Sequence, residues 1–138
     1  MLRIDDVQGL RLNLNFKLQN VERTKIILTR NMIGKIVKVI VERPLGSSHP
    51  EYSDLIYSVN YGYIPGLLAP DGEEQDAYVL GVDEPVSEFV GKVIAVIHRL
   101  NDVEDKWVVA PENKTFSKDE IADLVAFQEK FFDVEILL

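Results

Sequence analysis

The stretch YSVNYGYIPGLLAPDGEEQDAYVLG, residues 57–81, holds the densest group of ionisable side chains in the chain and the turn on which its fold depends. Asp71, Glu73, Glu74 and Asp76 put four carboxylates within six residues. Like charges this close repel and resist joint ionisation unless something positive lies between them. A divalent cation meets that need, and Mg²⁺ favours carboxylate and water oxygens. Gly72 frees the backbone to turn sharply, so that alternate acids converge. The other reading of the bare Asp-Gly-Glu-Glu-Gln-Asp run is a solvated acidic turn. The tyrosines before it favour the first reading, because phenols beside an acidic turn offer neutral donors to phosphate. After the acids, YVLGV (78–82) reads as a short strand.

Outward from this stretch the pattern repeats. KIVKVIV (35–41), KVIAVI (92–97) and KWVVA (106–110) are rich in β-branched residues and are separated by turn signals. β-branched side chains pack well on a pleated surface. Several short strands at this spacing predict a mainly β domain, a small antiparallel sheet or barrel. RPLGSSHPEYSD (43–54) interrupts it with two prolines and a glycine. The period changes near the end. Ser117 followed by Glu120 forms a capping box, in which hydroxyl and carboxylate each take a backbone amide of the first turn. Ile121, Leu124, Val125, Gln128, Phe131 and Phe132 then recur at helical spacing. One helix is predicted over 118–132, packed on the barrel with this stripe in the core. Trp107 reads as core or barrel edge, and Glu84, Pro85 and Glu88 as a solvated turn.

The composition narrows the function classes. The chain has 138 residues, 15 Lys+Arg against 23 Asp+Glu, a net charge of −8 and no cysteine. That length suits one domain. Without cysteine there is no disulfide framework, Cys-ligated zinc or iron–sulfur cluster, a usage that fits the cytoplasm. No run of about 18 apolar residues predicts a membrane helix. An acidic chain repels nucleic-acid backbones, and an OB-type binder of single strands would need a basic groove with aromatics. The charge is uneven: residues 1–31 carry six basic and three acidic side chains, while residues 32–138 carry nine and twenty. GLRLNLNFKL alternates with period two and reads as a strand from Leu10 to Leu18. Residues 1–31 are therefore either an N-terminal hairpin added to a 32–138 domain or an upstream extension ahead of a start at Met32.

Taken together, the residues of 57–81 resemble the soluble family I inorganic pyrophosphatases. The parts that match are Asn60-Tyr61-Gly62-Tyr63-Ile64, then Asp71-Gly72-Glu73-Glu74-Gln75-Asp76, then the apolar run Ala77 to Leu80. The resemblance covers about residues 34–133. It implies a small closed OB-like barrel with flanking helix, and Mg²⁺-dependent hydrolysis of diphosphate to two phosphates. Asp71 and Asp76 match metal-binding acids. Glu73 stands where the family has an aspartate that accepts a proton from the attacking water; its extra methylene shifts the oxygen, and a misplacement of about 1 Å can cost roughly 100-fold in rate. Tyr61 and Tyr57 match tyrosines of the phosphate site, Glu42 a glutamate near the metals, and Lys106 a phosphate-binding lysine. In NDVEDKWVVAP (101–111) the spacing is shorter than the family's. Asp105 is the first choice for a metal position there and Asp102 the second, with Glu104 the remaining acid. Family members form dimers or hexamers, so self-association is implied as well.

Departures matter. The hairpin that in the family carries a phosphate-binding lysine and arginine here reads RPLGSSHPEYSDLI, leaving Arg43 and His49 as its cations. A tyrosine–lysine pair near the last helix is replaced by KFFDVEILL. Each lost charge-assisted hydrogen bond is worth about 1.5–3 kcal/mol. Two functions follow: a diphosphatase, or a weak or inactive relative that binds a metal or phosphorylated ligand. His49 is either a phosphate contact or a solvated loop residue. His98 reads as an exposed or partly packed strand residue. No H-x-x-x-H, G-x-S-x-G or P-loop pattern supports zinc, serine or nucleotide-loop chemistry.

Overall fold

The structure is a computed structural model, and residues 31–100 and 104–138 are described. The strand expected at Leu10 to Leu18 and the candidate ligand Asp102 lie outside these residues. Residues Met32–Leu138 form one compact unit.

Among the described residues, six strands and one helix follow in order: β1 (Ile36–Arg43), β2 (Asn60–Leu68), β3 (Glu74–Val79), β4 (Glu88–Arg99), β5 (Asp105–Ala110), α1 (Lys118–Glu129) and β6 (Val134–Leu137). The sheet runs β1-β2-β3-β5-β4, and β4 pairs back with β1, so five strands close into a barrel while β6 adds to β4. The OB-like barrel and its C-terminal helix are as expected. One pairing departs from the all-antiparallel expectation: β3 and β5 are parallel, with Tyr78 opposite Val108. The sheet is therefore mixed. Parallel strands need a long connection, and here that connection is β4 itself, lying on the far side of β5.

Alternation along the strands fills the barrel. Tyr61, Tyr78, Leu80, Ala95, Ile97 and Val108 point inward, and Ile121, Val125 and Ile136 pack with them. Trp107, one residue out of phase with Val108, is also buried. Strand β2 was hidden in the sequence by Pro65 and Gly66, where its register with β3 shifts between Ile64 and Leu68. Gly62 permits the close approach of β2 to β1: a Cβ there would lie 1.8 Å from the Ile40 carbonyl oxygen.

The capping box forms, with Ser117 Oγ accepting from Glu120 N at 3.1 Å and Glu120 Oε1 accepting from Ser117 N at 3.0 Å. The helix stops three residues before its expected end. Lys130 caps it, and Phe132 N donates to Glu129 O at 2.9 Å. The chain then turns into β6, whose Val134 and Ile136 pack against the core. The expected apolar stripe is thus only partly core. Ile121 and Val125 are buried, but Leu124 is 37% exposed, and Phe131 and Phe132, outside the helix, are 68% and 39% exposed.

Candidate functional site

The β2–β3 hairpin carries the acids. Gly72 takes φ +87°, in the left-handed region that favours glycine. The turn closes with Ala69 N donating to Glu73 O at 2.7 Å. Asp71 Oδ1 accepts from Glu73 N at 3.0 Å, and Glu74 Oε2 accepts from Gly66 N at 2.9 Å. Around the turn lies a cavity of about 360 Å³ lined, among the described residues, by Glu42, Asp71, Glu73, Glu74, Asp76, Glu104 and Asp105, together with Tyr63, and by no cationic side chain. The tight convergence expected of the acids is not preformed: among the described residues no three acid or histidine side chains are grouped to hold one metal ion. The reason is local compensation. Amides take Asp71 and Glu74, Lys106 takes Asp76 and Glu104, and His98 takes Asp105. A lining rich in carboxylates nonetheless suits Mg²⁺ in kind, because Mg²⁺ is commonly held by one or two carboxylates with waters completing its shell.

Strand alternation puts Lys106 at the middle of the site. In register, Tyr63 faces Asp76 across β2–β3, and Lys106 faces Ile97 across β4–β5. Lys106 Nζ donates to Asp76 Oδ2 at 2.5 Å and to Glu104 Oε2 at 2.9 Å, and lies 5.7 Å from the Tyr61 ring centroid. Burial alone would lower the Lys106 ammonium, but Tyr61 and Asp76 beside it hold it above its ordinary value. Burial pushes the Tyr61 phenol up, and the opposing Lys106 charge does not reverse this. At neutral pH the site therefore holds a charged lysine and a protonated phenol. Asp105 meets His98 instead, Oδ1 to Nδ1 at 2.7 Å, across the β4–β5 pairing. His98 is accordingly buried rather than exposed. Glu104, two residues from Lys106 and so on its face of the chain, is the acid of this segment that touches the lysine.

A second cavity, of about 980 Å³, adjoins the first through Asp76. Arg43, His49, Tyr61, Arg99, Lys106 and Lys130 line it. Consecutive residues Glu42 and Arg43, at an irregularity in the β1–β2 register, thus line different cavities. Tyr57 lines neither: it is fully buried, its oxygen accepts from Arg43 Nη1, and its hydroxyl donates to Gln128 Oε1 at 2.6 Å. Gln128 Nε2 donates to Tyr78 Oη at 2.7 Å, and the Tyr78 hydroxyl donates to Glu129 Oε2 at 2.6 Å. Glu129 receives Arg99 through two bonds, Nε at 2.9 Å and Nη2 at 2.8 Å. A buried side-chain network from Arg43 to Arg99 thereby runs through the end of α1. His49 Nδ1 accepts from the amides of Glu51 and Tyr52 at 3.0 and 3.3 Å, so a neutral ring carries its proton on Nε2. Asn60, fully buried, ties two loops rather than the site: Oδ1 accepts from Leu45 N and Val86 N, and Nδ2 donates to Glu84 O.

Arg99, Lys130, Gln128 and Glu129 were missed in the sequence. The one signal for them was Gln128, a polar residue within the apolar stripe of the helix.

No protein-family model matches the chain. It is 31% identical over 107 residues to an inorganic pyrophosphatase of Neisseria meningitidis, a match covering 63% of this chain and 60% of that protein. It is 33% identical over 98 residues to an inorganic pyrophosphatase of Saccharolobus solfataricus, covering 57% of each. The chain thus spans less than two thirds of the length of these relatives. Among solved structures, an inorganic pyrophosphatase from Ehrlichia chaffeensis superposes with a TM-score of 0.57 at 21% identity, covering 75% of this chain and 85% of that one. One from Neisseria gonorrhoeae gives 0.54 at 22%, covering 68% and 72%. The chain is pyrophosphatase-like in sequence and shares the fold of these structures.

Proposed function

We propose that this pyrophosphatase-like chain hydrolyses inorganic diphosphate to two phosphates. The observation that carries the reading is the meeting of an acidic and a cationic cavity at Asp76, with Lys106 bound to it. Diphosphate needs both: cations for its non-bridging oxygens, and acids to handle the proton of the attacking water. The similarity to proteins named inorganic pyrophosphatase supports the same reading.

The chain's own residues divide the work. Lys106 has three donors; Asp76, Glu104 and Tyr61 stand beside it, and a phosphate oxygen exchanges with one of these acceptors. Arg43 has further guanidinium N–H groups for phosphate oxygens, and Arg99, bound to Glu129, adds positive charge to the wall. The Tyr61 phenol donates from the wall, and His49 Nε2 donates from the loop. Glu73, exposed on the turn, takes the proton from water. Asp71, Asp76, Asp105 and Glu42 would hold Mg²⁺, which when bound supplies water activation and neutralises charge on phosphate.

Purified protein with millimolar Mg²⁺ is expected to release phosphate from diphosphate, and Glu73→Ala to abolish most of that release. Equal rates for the two proteins would end the proposal. A second reading, binding without turnover, is favoured by the separate pairing of each acid; tight binding of methylenediphosphonate without phosphate release from diphosphate would establish it.

A further inference from the structure

We propose that the cationic cavity receives a nucleoside polyphosphate, with the phosphates on Lys106 and Lys130 and the base on an aromatic wall. The inference rests on the phosphoanhydride reading above and names the substrate class. Size is the first ground. A volume of about 980 Å³ lies at the upper end of the range for small-molecule sites, and a bare diphosphate would leave most of it to water.

The second ground is what the wall is made of. Tyr52 and Phe131 line this cavity with 64% and 68% of their surface exposed. Inorganic diphosphate has no apolar surface to place against them. A nucleobase does, and stacking on an aromatic ring is indifferent to which base is present. The rings also stand beside cations: Lys130 Nζ is 5.3 Å from the Phe131 centroid, and Arg99 Cζ is 3.6 Å from that of Phe132. Phosphates held by Lys106 and Lys130 bring an attached nucleoside to the rings.

The third ground is charge. On the Tyr52 side the loop supplies Glu51 and Asp54 to the lining. Carboxylates there repel a longer inorganic polyphosphate but accept hydrogen bonds from ribose hydroxyls. The polarity of the cavity thus runs from phosphate-like at Asp76 to sugar- and base-like at Tyr52. In hydrolysis of a nucleoside diphosphate, the water oxygen bonds to the terminal phosphorus and the bridging P–O bond breaks. The electron pair leaves with the nucleoside phosphate, one water proton passes to Glu73 and on to solvent, and the other stays on the phosphate released.

The test is calorimetry of the full chain, with and without Mg²⁺, using α,β-methylene-ADP and methylenediphosphonate. Both share one P–C–P unit and neither is cleaved. The nucleotide is expected to bind about 10-fold more tightly. Tyr52→Ala and Phe131→Ala, both at exposed positions, are expected to remove most of that advantage while leaving methylenediphosphonate affinity in place. Equal affinities in the parent chain, or an advantage that survives the double substitution, would overturn the inference. Phosphate release from diphosphate, measured on the same proteins, reports on the basic reading separately: its failure beside a persisting, aromatic-dependent nucleotide preference would remove the activity and leave the ligand class standing.

Discussion

The acidic and cationic cavities share Asp76, yet they are held in different ways. The acidic one is built from a hairpin turn and strand ends, and the carboxylates of its turn are satisfied by near neighbours in sequence: Glu73 N for Asp71, Gly66 N for Glu74. The cationic one draws on β1, β4, β5 and the end of α1, and its shape depends on a buried network that joins Tyr57 to Gln128 across 71 positions. The first can rearrange around an ion at little cost to the fold. The second is part of the core, so its chemistry and its stability are one property.

That contrast is most exposed to Glu129. Its carboxylate is buried, takes both Arg99 bonds and accepts from Tyr78. Breaking a buried pair by removing one partner leaves an uncompensated charge, at about 3–5 kcal/mol. Glu129→Ala is expected to lose that much in urea unfolding, whereas Asp71→Asn on the exposed turn should stay within about 0.5 kcal/mol. Similar losses for the two would erase the distinction.

Asp76 tests the junction. Asp76→Asn removes the charge facing Lys106 and a shared acid at once, and diphosphate turnover is expected to fall by about 100-fold or more, comparable to the misplacement of a reacting group. The phosphate-release rate measures it. A smaller loss than that of Asp71→Asn would mean that the two cavities do not act on one substrate.

The same contrast explains what could be read from the sequence. Asp71, Glu73, Asp76 and Lys106 stand in short, locally patterned segments, and the strands around them follow β-branched runs. Arg99, Glu129 and Lys130 carry no local pattern: only closure of the barrel and the docking of α1 bring them together. The parallel β3–β5 pair was invisible for the same reason, since alternation gives the faces of a strand but not its neighbour. Phe131 and Phe132 misled because helical spacing was extended past Lys130, where the backbone had already turned toward β6. The convergence expected of the acids failed on energetics rather than pattern, because nearby amides and Lys106 relieve their repulsion one at a time.

Alkaline pH probes the buried side of the comparison. Burial raises the phenols of Tyr61 and Tyr78 above the ordinary 10.0, and Lys106 lies above its ordinary 10.5. A group whose pKa is higher in the folded chain contributes stability that is complete below the unfolded value and is lost as pH rises toward the folded one. The thermal midpoint is expected to show no loss from these groups up to about pH 10 and to fall above it. Tyr61→Phe should reduce the fall. A midpoint that stays level above pH 10 would place these groups in contact with solvent.

The smallest effect lies where the helix begins, at the end of α1 remote in sequence from Gln128 and Glu129. Ser117→Ala removes the acceptor for Glu120 N and is expected to cost about 1 kcal/mol by thermal or urea unfolding. The Glu120 carboxyl is held below its usual value by the Ser117 amide, so its contribution is present above the ordinary 4.5 and is lost as pH falls through the lowered value. Because the cap acts on the first turn and the network on the last, Ser117→Ala should lower stability without changing methylenediphosphonate affinity. If affinity fell with it, the whole helix rather than its final turn would position Arg43 and Arg99, and the cationic cavity would have to be treated as one body with α1.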